Sequence, residues 1–355
     1  MKRGKRVDAV RQKLRHLLIP QCPRIDRDGW YGSTDYALLE SAGNFFHIQL
    51  MNSKPRPHSE ERFGRQRDFW WNADFLDLMA KRWQLHAATS LADIGCGLCH
   101  WSRLLYPYLQ RPARFAGVER ERHWIVEAEK RFRSAFPKVA PKLLTFTQGN
   151  ATDIPLADAA FDVVTCQTVL MHLAHPLDGL RDMVRITRSG GLIVCVEPSN
   201  LWNYMPFTSL TPHEPTEAIV DQFEFWLRCH RGRIKSGQGD HNVGDLVPGY
   251  FAQLGLHDIA VYQSDRVPVL FPPYQTAAQQ AILKQQREWK KSSAGPFDEE
   301  ELRRLCVLGG GTDEFFDRLY PQVQENRIRE EKRVVAGTFH VSFGGITYLV
   351  SGRKK

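Results

Sequence analysis

From Ser90 onward, short apolar runs alternate with amphipathic stretches. The runs SLADI, RFAGVE, KLLTFTQ, FDVVTCQ and GLIVCVE read as five strands. Their β-branched, uninterrupted apolar character is that of strands buried on both faces. Helical periodicity fills the spaces between them, around Trp101–Leu109, His123–Phe136 and Leu177–Ile186. Strand and helix alternating in this way predict an α/β fold with a parallel sheet and helices on both faces.

The regularity breaks after Glu197. Residues 198–242 carry aromatic side chains and polar turns, and read as an inserted lid. Regularity returns with VGDLVPGYFAQLGL as a helix and HDIAVYQS as a sixth strand. The stretch 274–335 is helical in pattern and rich in Gln, Glu, Lys and Arg, and GITYLVSGR closes the chain as a seventh strand. Ahead of the first strand, residues 1–88 hold too many large apolar groups to be disordered. They are expected to form an aromatic-rich helical cap on a second domain spanning 89–355.

The 355 residues are 42% hydrophobic and 25% charged, a globular composition, and no apolar stretch is long enough to cross a bilayer. The net charge of +8 points toward acidic partners, but much of the excess lies in MKRGKRVDAVRQKLRH at the start and SGRKK at the end. The opening segment reads as a basic helical arm. Seven scattered cysteines without a secretory signal fit a reducing cytoplasm. Cys96 and Cys99 form a C-x-x-C, but no further ligands stand at metal spacing, so no metal is expected.

The candidate chemistry begins in LADIGCGLCHWSRLL, where a strand runs through Asp93 into Gly95 and Gly97 and then a helix. In an open parallel sheet, ligands bind beyond the carboxyl ends of the strands. A dinucleotide site wants G-x-G-x-x-G around a pyrophosphate, but the third glycine position here is His100. Asp93 would repel phosphate and attract a cation. S-adenosylmethionine, with an ammonium and a sulfonium and no phosphate, meets that demand. Glu119, ending the second strand, can accept both ribose hydroxyls of an adenosine-type ligand. Asn150 and the amide of Ala151, after the third strand, can meet an adenine edge.

These motifs (LADIGCG, GVE, GNATDIPLADAAFDVV, VLMHL and RITRSGGLIVCVEP) stand in the order and spacing of the class I S-adenosylmethionine-dependent methyltransferases. The chain resembles most closely the small-molecule group that includes the ubiquinone and menaquinone C-methyltransferases. The resemblance spans roughly residues 89–199. It implies a Rossmann-like, seven-stranded, mostly parallel sheet and S-adenosylmethionine as cofactor. By position it assigns Asp93, Gly95, Cys96 and Gly97 to the methionyl and ribose part, Glu119 to the ribose, Asn150 and Ala151 to the adenine, and Gln167 to the methionine moiety. Asn150 replaces the Asp usual in the family, and Cys99 stands where a further glycine is common.

Methyl transfer needs alignment and exclusion of water, and a base only when the acceptor must lose a proton. His172, just beyond the fourth strand, is the candidate base or substrate-positioning group. Tyr31, Tyr36, His213 and His241 in the presumed cap and lid, with Glu197 at the end of the fifth strand, are candidate substrate contacts. FPPY at 271–274 follows the sixth strand and begins with Phe, so it reads as a turn and not as a base-methylation motif. The leading expectation is methylation of a small or medium-sized metabolite, of the specialised, natural-product kind. An RNA or protein methyltransferase attached through the basic arm is the second reading. A non-catalytic S-adenosylmethionine-binding protein is the third.

Overall fold

A computed structural model of the chain describes residues 64–204, 207–291 and 298–355. All of them belong to one compact unit, 55–355. Tyr31, Tyr36, the basic arm and most of the presumed cap lie outside the described residues.

Seven strands form one sheet: β1 (Ser90–Ile94), β2 (Arg114–Glu119), β3 (Leu144–Gln148), β4 (Phe161–Gln167), β5 (Thr187–Ser199), β6 (His257–Gln263) and β9 (Ile346–Arg353). Their order is β3-β2-β1-β4-β5-β9-β6. The first five run parallel, and β9 is antiparallel to both β5 and β6. A separate two-stranded ribbon pairs β7 (Val269–Leu270) with β8 (Val341–Ser342). Among the described residues no helix is long and apolar enough to cross a membrane.

The strands read as continuous apolar runs because both faces are covered. Every residue of β1 and β4 is buried. Alternate side chains feed two cores. On one face Leu91, Phe115, Trp101, Tyr106 and Phe132 pack together, with the Phe115 and Phe132 rings stacked at 4.1 Å. On the other, Ile94, Val118, Val164, Leu180, Met183 and Phe251 do so. Each such side chain contributes roughly 1.5–3 kcal/mol on burial.

The connecting helices follow from their periodicity. In α3 (Arg122–Ala135), Ile125, Ala128 and Phe132 make the buried stripe. In α4 (Pro176–Ile186), Pro176 opens the helix at a position where its missing N–H is harmless, and Leu180, Met183 and Ile186 face the sheet. The helix expected over 101–109 is shorter. α2 (His100–Leu105) ends early, and Tyr106–Tyr108 forms a 3-10 turn, because Pro107 cannot donate the next helical bond. Upstream, a 3-10 turn (Gly64–Phe69) and α1 (Ala73–Arg82) bury Met79, Ala80 and Trp71 against the first core.

The two insertions are helical and share a core. α5 (Thr216–Lys235) crosses α8 (Glu299–Leu308), while α9 (Asp313–Val335) closes the group. Phe225 and Cys229 from the first insertion meet Leu302, Leu305, Cys306, Phe316 and Leu319 from the second. The α5–α8 crossing is so close that a Cβ on Gly232 would overlap the Leu305 carbonyl, and one on Gly309 the Arg228 carbonyl. α6 (Val247–Gln253) precedes β6, and α7 (Ala277–Lys291) packs on the 64–69 turn.

Candidate active site

The strand order reverses between β1 and β4, which places a crevice at their carboxyl ends. Asp93 on β1, Glu119 at the end of β2, Gln167 at the end of β4 and Glu197 near the end of β5 all stand along this edge, and all are buried.

The loop after β1 turns through left-handed conformations at Gly95 (φ +64°), Gly97 (φ +49°) and Cys99 (φ +58°). A Cβ at Gly95 would run into Val169. Cys99 therefore takes a conformation that favours glycine, at a cost of roughly 1–2 kcal/mol, and retains the turn. The Cys96 amide donates to the Val118 carbonyl at 3.0 Å, folding the loop across β2.

Glu119 then locks the loop. Its Oε2 accepts from the Gly97 amide at 3.1 Å, and its Oε1 from the Arg120 and Glu121 amides at 2.8 and 3.2 Å. A pyrophosphate-binding loop needs that glycine amide for phosphate. Here a carboxylate holds it. Asp93 Oδ2 is buried with no hydrogen-bond partner among the described residues. Burial pushes the Asp93 carboxyl up to about 7, opposed by the neighbouring Ser102 and reinforced by the charge of Glu119. The side-chain nitrogen of Gln167 is likewise buried without a partner. An acid pair and an unused amide donor suit a ligand that carries both cationic groups and a carboxylate, as S-adenosylmethionine does.

Asn150 is exposed and shapes an Asx turn, its Oδ1 accepting from the Thr152 amide at 3.3 Å. Ala151 is half-buried beside it. The Gly149 amide donates to the Glu119 carbonyl at 3.0 Å, so the β3 loop and the β2 acid adjoin.

Two residues at this edge were not foreseen from the sequence. Arg67 is 6% exposed, donates through Nη2 to Thr168 Oγ1 at 3.3 Å, and lies 5.0 Å over the Trp70 ring. Its charge is felt at both Asp93 and His100. His100, the first residue of α2, is held neutral: burial, with Arg67 and Arg103 adding to it, pushes its imidazole down to about 3. Thr168 itself has φ +54°, rare for a β-branched side chain. The only sequence signal for Arg67 is a cation inside an aromatic segment.

Glu197, expected from the sequence as a substrate contact, is not a free carboxylate. Its Oε1 accepts from the Val169 and Leu170 amides at 2.9 Å each, and its Oε2 from the Met171 amide at 3.3 Å. It thus caps the 3-10 turn Leu170–His172. Burial raises its carboxyl to about 7 in spite of those amides. The turn it caps presents His172 to solvent, with the His241 ring edge-on to it at 5.7 Å. His213 is exposed at the end of the 211–213 turn, in the segment that reaches the β7–β8 ribbon through the Thr208–Val341 bridge. Among the described residues no group of three or more His, Cys, Asp or Glu side chains is arranged to hold a metal ion.

Residues 92–195 match the family model described as "Methyltransferase domain". This segment is thus similar in sequence to methyltransferase domains. The chain is 26% identical over 134 residues to the demethylmenaquinone methyltransferase of Alkalihalophilus pseudofirmus, covering 38% of this chain and 53% of that protein. It is 28% identical over 168 residues to that of Halalkalibacterium halodurans, covering 46% of this chain and 58% of that protein. The chain thus spans a little over half the length of these curated relatives. The YcgJ protein of Bacillus subtilis superposes with a TM-score of 0.44 at 18% identity, over 80% of this chain and 99% of that one.

Proposed function

We propose that the protein transfers a methyl group from S-adenosylmethionine to a small or medium-sized metabolite in specialised, natural-product-type metabolism. The observation that carries the cofactor half of this reading is the pair Asp93 and Glu119. One is buried with an unsatisfied oxygen, and the other holds the Gly97 amide that a phosphate would require. The metabolite half is supported by the relatives named for demethylmenaquinone.

Bound at this edge, S-adenosylmethionine supplies an electrophilic methyl group on sulfur. In the proposed arrangement Asp93 takes the ammonium, and Gly95, Cys96 and Gly97 supply backbone around the methionyl and ribose parts. Gln167 and Arg67 take the carboxylate. Glu119 accepts the ribose hydroxyls, while Asn150 and Ala151 meet the adenine. His172, set beyond β4 on a turn capped by Glu197, orients the acceptor or receives its proton. The two helical insertions cover the acceptor. Aligning nucleophile, carbon and leaving group in line, away from water, accounts for most of the acceleration such a site provides.

The test is to incubate the full chain with methyl-labelled S-adenosylmethionine and an extract of its own source. Small molecules are then separated from RNA and protein. Label is expected in the small-molecule fraction. Label in RNA or protein, lost as salt rises, would replace the metabolite with a macromolecule held through the basic arm. Cofactor binding with label in no fraction would favour a non-catalytic binding protein.

A further inference from the structure

His230, on α5 of the first insertion, is a buried imidazole far from the cofactor loop in sequence. Its Nε2 lies 3.1 Å from Asp240 Oδ1 and 2.9 Å from Asn242 Nδ2. Asp240 in turn accepts from the Asn242 amide at 2.7 Å. These three side chains tie the loop 236–242 back onto the helix it leaves.

That loop is seated with little room. Gly239 adopts φ +85°, and a Cβ there would overlap the Met171 carbonyl and lie 2.8 Å from the His172 backbone. At its far end, a Cβ on Gly244 would lie 2.7 Å from the Glu197 carbonyl oxygen. The His241 carbonyl accepts from the Asn200 amide at 3.3 Å, just past β5. Between these fixed points stands His241, flanked by Asp240 and Asn242, its ring edge-on to His172.

We propose that the His230–Asp240–Asn242 cluster is a positioning device that holds His241 against His172, so that two imidazoles together grip the proton-bearing atom of the methyl acceptor. None of the three touches the acceptor. They act through His241 from the α5 side, as Glu197 acts through the 170–172 turn on His172 from the sheet side. With His230 buried and its partners half-buried, losing one partner leaves the imidazole unsatisfied and the loop free to move. The proposal rests on the methyltransferase reading for its purpose and on the loop geometry alone for its mechanics.

The test uses the full chain. Ring-proton NOEs between His172 and His241, assigned by substitution of each, report the pairing without any acceptor. Asp240→Ala and His230→Phe are expected to abolish the NOE and to lower label transfer into the source extract at least tenfold. His230→Gln, which restores a polar group to the cluster, is expected to recover both to within about threefold. Affinity for S-adenosylhomocysteine, read by calorimetry, stays within twofold throughout. Asp240→Asn, which trades a carboxylate acceptor for an amide on a partly exposed side chain, is expected to weaken the NOE and label transfer together, and serves if His230→Phe fails to fold.

An NOE that survives Asp240→Ala overturns the proposal. So does a fall in turnover matched by an equal fall in cofactor affinity. If the native chain transfers no label at all, the methyltransferase reading fails, while the NOE still decides whether the cluster positions His241.

Discussion

Asp93 makes the proposed cofactor site sensitive to pH in a definite direction. Its carboxyl rises from an ordinary 3.8 to about 7 in the ligand-free protein, mainly through burial. At about 1.4 kcal/mol per pKa unit, the ionised form is disfavoured by roughly 4 kcal/mol in the empty site. Because the folded value is raised, the stabilisation is present at low pH and is lost as pH climbs toward 7. An ammonium beside the carboxylate reverses the balance, since binding then requires the ionised form. Below pH 7 a proton must leave before the ligand binds. The dissociation constant of S-adenosylhomocysteine should therefore rise about tenfold for each pH unit below about 7 and level off above it. Calorimetry between pH 5.5 and 8.5 reads this directly. Asp93→Asn should lose the break and bind about 10–100-fold more weakly at pH 8, the loss of one charge-assisted hydrogen bond. Glu197 also titrates near 7, so Glu197→Gln is the control, and it should keep the break. A native curve flat from pH 6 to 8, or a break that persists in Asp93→Asn, would refute the assignment of the ammonium to Asp93.

Arg67→Met should weaken S-adenosylhomocysteine about 10–100-fold if the guanidinium meets the carboxylate, and should move the pH break upward, because a positive charge that lowers Asp93 is gone. Unchanged affinity and an unmoved break would assign Arg67 to packing on Trp70. Gly232→Ala places a methyl group into the Leu305 carbonyl, and should lower the urea-unfolding stability by about 1–3 kcal/mol even after the gain in helix propensity. Native-like stability in that variant would mean the α5–α8 crossing is looser than described.

The sheet was legible because fully buried parallel strands leave a plain trace. The five runs from SLADI to GLIVCVE became β1 to β5, and the final run became β9. Helix ends were less so, as at Pro107, where a single missing donor tightens α2 into a 3-10 turn. Around the loop, sequence showed which residues stand at the carboxyl edge, but not how their hydrogen bonds are spent. Glu197 illustrates the gap: a carboxylate at the end of a strand reads as available, yet it is fully buried and turned onto three amides of the 169–171 segment. Arg67 stands well ahead of Gly95 in the chain and enters only through tertiary packing. The 198–242 and 274–335 stretches read as separate additions, since nothing local in either announces that its apolar face needs the other.

That shared face has a consequence for any attempt to rebuild the molecule. The second insertion leaves β6 and re-enters at β9, which are adjacent antiparallel strands with Gln263 opposite Tyr348. By chain geometry alone it is replaceable with a short turn. Excising it would nonetheless strip the cover from Phe225 and Cys229 on α5, and excising the first insertion would uncover Leu305, Phe316 and Leu319. The two segments are therefore a single packing unit written in two places. A chimera that grafts these helices onto another α/β sheet of this order must carry both pieces, with α5 and α8 matched at Gly232 and Gly309. A swap of either alone would yield an apolar helix face open to water, and an aggregating product.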